Sequence, residues 1–264
     1  MSDPKRLDTA RLDDPCRAVD LALRAAQVML ESGASGQGAN LAVGQIAACI
    51  APEPAEFAFA GDLVAVHSTA NGVPFSLVRP VVFDTANFDR ASAMEMLCER
   101  IAAGSVTARD IPGELDRVAA IPDPYGLPTT IAAAGVAGFA YAMLLGGDLR
   151  TALLALAACV VGRLAQAGLR TWTLPQPLIN FAAALTASLV AAAGVRAGFA
   201  PAGDAISIPA VAWLIPGLAL INGLLDLLSI RHTALGAQRT IVALIIFLLL
   251  GAAIAFGVSV SGAG

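Results

Sequence analysis

From residue 126 to its end the chain carries six Lys/Arg and three Asp/Glu, whereas the first 125 residues carry ten and seventeen. This uneven placement of charge constrains the fold more than any motif does. A soluble domain has about a quarter of its residues charged. A long stretch almost free of ionisable side chains suits hydrocarbon, where charge is costly. Over the whole chain 57% of residues are apolar and 14% charged, with a mean hydropathy of +0.74. The formal net charge is −7 in the first part and +3 in the second. That balance excludes a nucleic-acid binder, which presents a basic face, and the hydrophobicity excludes disorder of the whole. A polar domain followed by a membrane domain is expected.

Five stretches of the second part approach the roughly 20 apolar residues that a helix rising about 1.5 Å per residue needs to cross a bilayer. They are 128–146, 151–168, 177–195, 208–228 and 240–260. The short connectors hold most of the charges, among them Asp148, Arg150, Arg170, Arg196, Arg231 and Arg239. Ala, Gly and Ser recur throughout, notably at 135–138 and 182–184, and small residues let helices approach closely. The first 18 residues, MSDPKRLDTARLDDPCRA, lack the basic start and apolar run of an export signal. A cytoplasmic N-terminal domain is therefore expected. Arg163, Arg170, Arg231 and Arg239 then fall on the inner side, against Arg150 and Arg196 outside, in the sense of the positive-inside rule. Five spans would leave the C-terminus outside.

The polar part reads as a small α+β domain over 15–125, after a disordered segment over 1–14. Val19, Leu23, Ala26 and Leu30 form a helical stripe, closed by Gly33 as a C-cap. A second helix over 41–50 stops at the Ala51-Pro52-Glu53-Pro54 stretch. The period then shortens. Phe57, Phe59, Leu63, Val64 and Val66 lie in strand-like runs, Asn71-Gly72 is a strong hairpin signal, and 75–82 is the return strand. Helices over 87–103 and 111–120 complete the order ααβββαα. GASGQG at 33–38 follows no strand and reads as a helix–helix turn rather than a phosphate loop. Cys16, Cys49, Cys98 and Cys159 show no metal-ligand spacing and read as buried reduced thiols. No metal or cofactor is expected.

The few polar residues inside the apolar stretches carry the functional signal. Asp226 is the one acidic residue within them, and Asn222 lies four positions earlier on the same helix face. Pro216-Gly217 precedes both and should kink or break the helix near Ala212. Asn180, four residues after Gln176, lies near the inner end of the third stretch, at a depth similar to that expected for Asn222 and Asp226. A broken helix exposes backbone groups able to bind solutes or ions. Two readings of Asp226 stand side by side: a coupling or substrate carboxylate, or an interfacial charge paired with Arg231 or Arg239. The two asparagines are equally explicable as helix–helix hydrogen-bond partners.

The stretch 213–239, WLIPGLALINGLLDLLSIRHTALGAQR, resembles the threonine/serine exporter (ThrE) family. Leu214, Pro216, Gly217, Leu220, Asn222 and Asp226 match the family's L-x-P-G-x-x-L-x-N-x-x-x-D pattern, with Gly236 and Arg239 beyond. PQPLINF at 175–181 and SGAS at 32–35 agree more loosely. The chain departs from the pattern at Ser35, where glutamate is frequent, and after Asp226, where a glycine is missing near Ile230.

The resemblance implies an α-helical membrane protein with a five-helix transmembrane bundle preceded by a small α+β cytoplasmic domain. It implies the larger component of a split two-chain inner-membrane exporter, working in a hetero-oligomer with a small membrane subunit of about four or five spans. Threonine and serine are the implied substrates, with dicarboxylates such as succinate as the alternative. The absence of an ATP-binding motif and the presence of Asp226 point to proton-coupled secondary transport. Asp226, Asn222, Asn180, Pro216 and Gly217 are the candidate site residues. Two rivals are a membrane-anchored hydrolase using Asp62, His67, Asp84 and Asp89, which lack catalytic spacing, and a non-transporting sensor or scaffold.

Overall fold

A computed structural model describes residues 14–51, 53–83 and 86–261. The chain divides into two compact units. One runs to Pro124 and takes in Leu218–Thr240; the other comprises Tyr125–Gly217 and the chain from Ile241 onward. The expected disordered N-terminal segment lies outside the described residues up to position 13, and Asp14 already caps the first helix.

In the first unit the elements are ordered α1 (Pro15–Glu31), α2 (Gly36–Ile50), β1 (Ala55–Ala60), β2 (Leu63–Ala70), β3 (Val73–Pro80), α3 (Phe88–Ala102) and α4 (Ile111–Ala119). Asp14 accepts hydrogen bonds from the Cys16 and Arg17 amides, and Pro15 opens α1, where its missing N–H costs nothing. Ala18, Leu23, Ala25, Ala26, Met29 and Leu30 are all buried, while Asp20, Arg24, Gln27 and Glu31 form a half-exposed polar stripe. The sheet is an antiparallel meander, β1-β2-β3, with Phe57 opposite Val66 and Val66 opposite Leu77. Asn71 and Gly72 take φ of 53° and 79°, as a two-residue turn matched to the strand twist requires. Val64, Val66 and Ser68 face inward on β2. Arg79 on β3 binds Asp20 on α1 through Nε at 3.0 Å and Nη2 at 2.8 Å. Each fully buried Leu, Ile or Met in this core contributes about 1.5–3 kcal/mol.

In the second unit the helices are α5 (Leu127–Leu144), α6 (Leu149–Leu169), α7 (Gln176–Arg196) and the four-residue α8 (Asp204–Ser207). A 3₁₀ turn (Ala212–Leu214) comes next, then α9 (Gly217–Leu228) and α10 (Thr233–Ser261). The first unit takes all of α9 except Gly217, and it takes α10 up to Thr240. Small residues set the helix spacing. A Cβ on Gly162 of α6 would lie 2.9 Å from Ala187 Cβ and 3.1 Å from Ala183 O of α7. Ala183, Ala184 and Ala187 are fully buried, so backbones meet where side chains are smallest.

Among the described residues four helices are long and apolar enough to cross a membrane: α5, α6, α7 and α10. The fourth expected span, 208–228, is not one helix. Pro216 has no amide hydrogen, and Ile215 is extended at φ −62° and ψ 123°. No α-helix runs from position 208 to Pro216, a stretch that includes Ala212, where the break was expected. Beyond it, α9 has 12 residues, about 18 Å of helix against about 30 Å of hydrocarbon. Helix α10 begins at Thr233, two turns before the expected 240. The expectation of four buried thiols also needs correcting: Cys98 and Cys159 are buried, but Cys49 is half-buried and Cys16 exposed.

Candidate functional site

The candidate residues Asn222 and Asp226 lie four apart on α9, one turn, so their side chains leave the same face. Both reach the turn between α1 and α2. The Asn222 amide donates to Gly33 O at 2.8 Å. Asp226 Oδ1 accepts from the Gly36 amide at 2.8 Å, and Oδ2 accepts from Arg239 Nη1 of α10 at 2.9 Å. Arg239 Nη2 donates in turn to Ala34 O at 2.9 Å, and its guanidinium carbon lies 4.9 Å from the Phe83 ring centroid. The sequence SGAS at 32–35 is thus the turn that α9 and α10 grip.

Burial makes this arrangement energetically serious. The Asp226 side chain is wholly buried and that of Arg239 only 7% exposed. Ionic groups so placed need a partner for each charge and most lone pairs. Asp226 has Arg239 and also the first amide of α2, whose N-terminal end favours negative charge. Ser35 caps the same helix, its Oγ accepting from the Gly38 amide at 3.2 Å. Gly36 leaves room for this contact. A Cβ there would stand 3.0 Å from Asp226 Oδ1 and 2.9 Å from Leu235 Cδ2. Gly236 does the same for the α9–α10 turn, where a Cβ would stand 2.7 Å from Gly223 O and 2.8 Å from the Asp226 carbonyl carbon.

His232, in the connection from α9 to α10, adjoins this cluster. It is 4% exposed, meets the Phe59 ring edge-on at 5.2 Å, and its Nδ1 has no hydrogen-bond partner. Burial pulls its pKa below the ordinary 6.5, Asp226 opposes that shift and Arg231 adds to it. An open cleft of about 790 Å³ is lined by Asn40, Glu53, Glu56, Phe57, Arg231 and His232, among others.

The other candidates belong to the second unit. Asn180, on α7, accepts from Gln166 Nε2 at 2.9 Å and Gln176 Nε2 at 3.0 Å. Pro216 and Gly217 form the break that starts α9. The structure therefore brings Asn222 and Asp226 together in one unit and groups Asn180 with glutamines in the other. Of the two partners weighed for Asp226, Arg239 makes the pair and Arg231 is exposed. Sequence reasoning placed Gln176 beside Asn180 but missed Gln166, the Gly33 and Ala34 carbonyls, the Gly36 amide and His232. Helix α2 starts at Gly36, five residues before the expected 41; the overlooked signal was Ser35 as its N-cap, and for Gln166 it was the helical spacing from Arg163.

Among the residues weighed for hydrolysis, His67 shares a hydrogen bond with Ser76 on the exposed side of the sheet, and Asp89 sits in the first turn of α3. Asp84 lies outside the described residues. Among the described residues no three His, Cys, Asp or Glu form a group able to hold a metal ion.

Long apolar helices, a break at Pro216 and a buried carboxylate at its far end define a multi-pass membrane protein. The family model described as "Putative threonine/serine exporter" matches residues 20–261, and the chain belongs to this ThrE family. A protein of Mycobacterium tuberculosis (strain ATCC 25618 / H37Rv) named "Probable threonine/serine exporter" is 30% identical over 223 residues. The match covers 80% of this chain and 40% of that protein, so the chain spans about two fifths of its relative's length. No solved structure matches the chain.

Proposed function

We propose that the chain is a component of a secondary exporter moving threonine and serine outward across the inner membrane, with the N-terminal α+β domain over 15–125 on the cytoplasmic side. Family membership supports the transport class, and the substrates are those in the names of the family and of the mycobacterial relative. A second small membrane subunit of about four or five spans completes the transport path in a hetero-oligomer. About three fifths of the longer relative lies outside the part that this chain matches.

The observation that carries the mechanism is the buried Asp226–Arg239 pair bound to both sides of the α1–α2 turn. A proton on Asp226 removes the charge that holds Arg239 and the Gly36 amide, and frees the turn. Coupling then consists of exchanging an internal partner for a proton. Asp226→Asn keeps the shape and one acceptor but cannot ionise. Reconstituted with its partner subunit, this variant should export at least tenfold more slowly and lose the pH dependence of the wild type. Export at the wild-type rate and pH profile would sink the coupling role. A charge-swapped pair, Asp226→Arg with Arg239→Asp, tests whether the pair matters beyond folding.

A dicarboxylate substrate is the second reading. It is favoured by the composition of the membrane-spanning half, which holds six arginines but only three of the chain's 20 carboxylates.

A further inference from the structure

We propose that Arg163 and Asn180 form a carboxylate-binding site within the second unit. Three helices contribute: Thr130 from the start of α5, Arg163 and Gln166 from the end of α6, and Gln176 and Asn180 from the start of α7. Arg163 Nη1 donates to Gln166 Oε1 at 2.6 Å, and Nη2 donates to Thr130 Oγ1 at 3.2 Å. Gln166 Nε2 donates to Asn180 Oδ1 at 2.9 Å, and Gln176 Nε2 donates to the same oxygen at 3.0 Å.

The direction of these bonds decides what the cluster lacks. The Gln166 and Asn180 amide oxygens are each taken by a donor. The Asn180 amide hydrogens have no acceptor among the described residues, and the Arg163 guanidinium, with five N–H donors, spends two bonds here. The surplus consists of N–H groups and one positive charge. Among the described residues no carboxylate pairs with Arg163. Arg163 stands six residues before Leu169, where α6 ends, about 9 Å along the helix. A cation at such a position in a membrane helix normally pairs with a counter-charge and marks a substrate or ion path.

A carboxylate supplies what is missing. Its two oxygens match the guanidinium fork, and charge-assisted bonds of this kind are short and strong. A remaining lone pair can accept from Asn180. Gln166, which is 7% exposed, holds Arg163 and Asn180 to a common point. The ligand class is therefore a small soluble carboxylate, either that of an amino acid or one end of a dicarboxylate. The inference rests on the export reading for its biological meaning, but binding can be measured without transport.

The test uses the purified full chain in phosphatidylcholine nanodiscs, with calorimetric titration of L-threonine, L-serine, succinate and threonine methyl ester. At least one free carboxylate should bind, and the ester of the same compound should bind at least tenfold more weakly. Whether threonine or succinate binds tells amino acid from dicarboxylate. Arg163→Gln, which can still donate to Gln166, should weaken binding at least tenfold. Arg163→Lys keeps the charge without the fork and should lie between the two, which covers the case of a glutamine variant that fails to fold. The site is overturned if no carboxylate binds, if the ester binds equally, or if both variants bind as the wild type does. It is also overturned if only discs containing phosphatidylglycerol respond, because the occupant is then a lipid phosphate. Carboxylate binding without reconstituted efflux would leave the site standing and defeat the export reading.

Discussion

Arg239 in the first unit and Arg163 in the second both leave long apolar helices, and they end in opposite circumstances. Arg239 meets a buried carboxylate, a backbone carbonyl and an aromatic face, so its charge is cancelled inside the protein. Arg163 meets a hydroxyl and an amide, both neutral. The first cluster is closed, because each ionic oxygen has a donor. The second is open, because its donors outnumber its acceptors. A closed cluster satisfies its own charges; an open one has N–H donors to spare. The difference lies in the presence of Asp226 and not in the arginines.

The largest expected effect tests closure. Asp226→Ala leaves Arg239 buried without a counter-charge, and removing one partner of such a pair costs about 3–5 kcal/mol. Replacing both, Asp226→Leu with Arg239→Met, should recover most of that loss. Arg163→Gln, by contrast, should cost under about 1 kcal/mol, in the range of single interhelical hydrogen bonds in membranes. Denaturant unfolding of the full chain in detergent measures all three. Equal losses for Asp226→Ala and Arg163→Gln would erase the distinction between the clusters.

Next in size is Gly236→Ala. The added methyl has backbone on three sides, from Gly223, Asp226 and Leu227, and overpacking of this kind costs about 1–3 kcal/mol. The α9–α10 turn would open and draw Asp226 from the Gly36 amide. In the same unfolding assay Gly113→Ala, at a position with open space around it, should show no comparable loss.

Legibility tracked the range of the interaction. The Asn71-Gly72 hairpin, the capped α1 and three of the long apolar helices depend on neighbours in sequence, and patterns of period two or 3.6 expose them. The stretch 208–228 misled because hydropathy is blind to length once a proline divides it: both pieces are apolar and neither spans. Asp226 stood out as a lone carboxylate, but its contact with Gly36 crosses 190 positions, and no local period records that. Asn180 stands out as polar in an apolar stretch, yet Gln166, which donates to it and accepts from Arg163, comes from another helix, and only packing puts them together.

The smallest expected effect uses His232 as a reporter for the closed cluster. Burial holds its folded pKa below 6.5, against Asp226, with Arg231 assisting. The unfolded chain therefore takes up a proton near pH 6.5 at which the folded chain still refuses one. Between those two values the unfolded state binds more protons, so stability falls as the pH falls. Above about pH 6.5 the histidine is neutral in both states and contributes no slope. Thermal unfolding from pH 7.5 to 5 should show a fall in Tm for the wild type that is shallower in His232→Gln, with the two curves parting below about pH 6.5. Arg163→Gln should keep the wild-type slope, because nothing in the Arg163, Gln166, Asn180 and Gln176 network titrates in that interval. Parallel curves for wild type and His232→Gln would mean that the histidine is not held neutral. A flattened slope in Arg163→Gln would mean that the two clusters do not act separately.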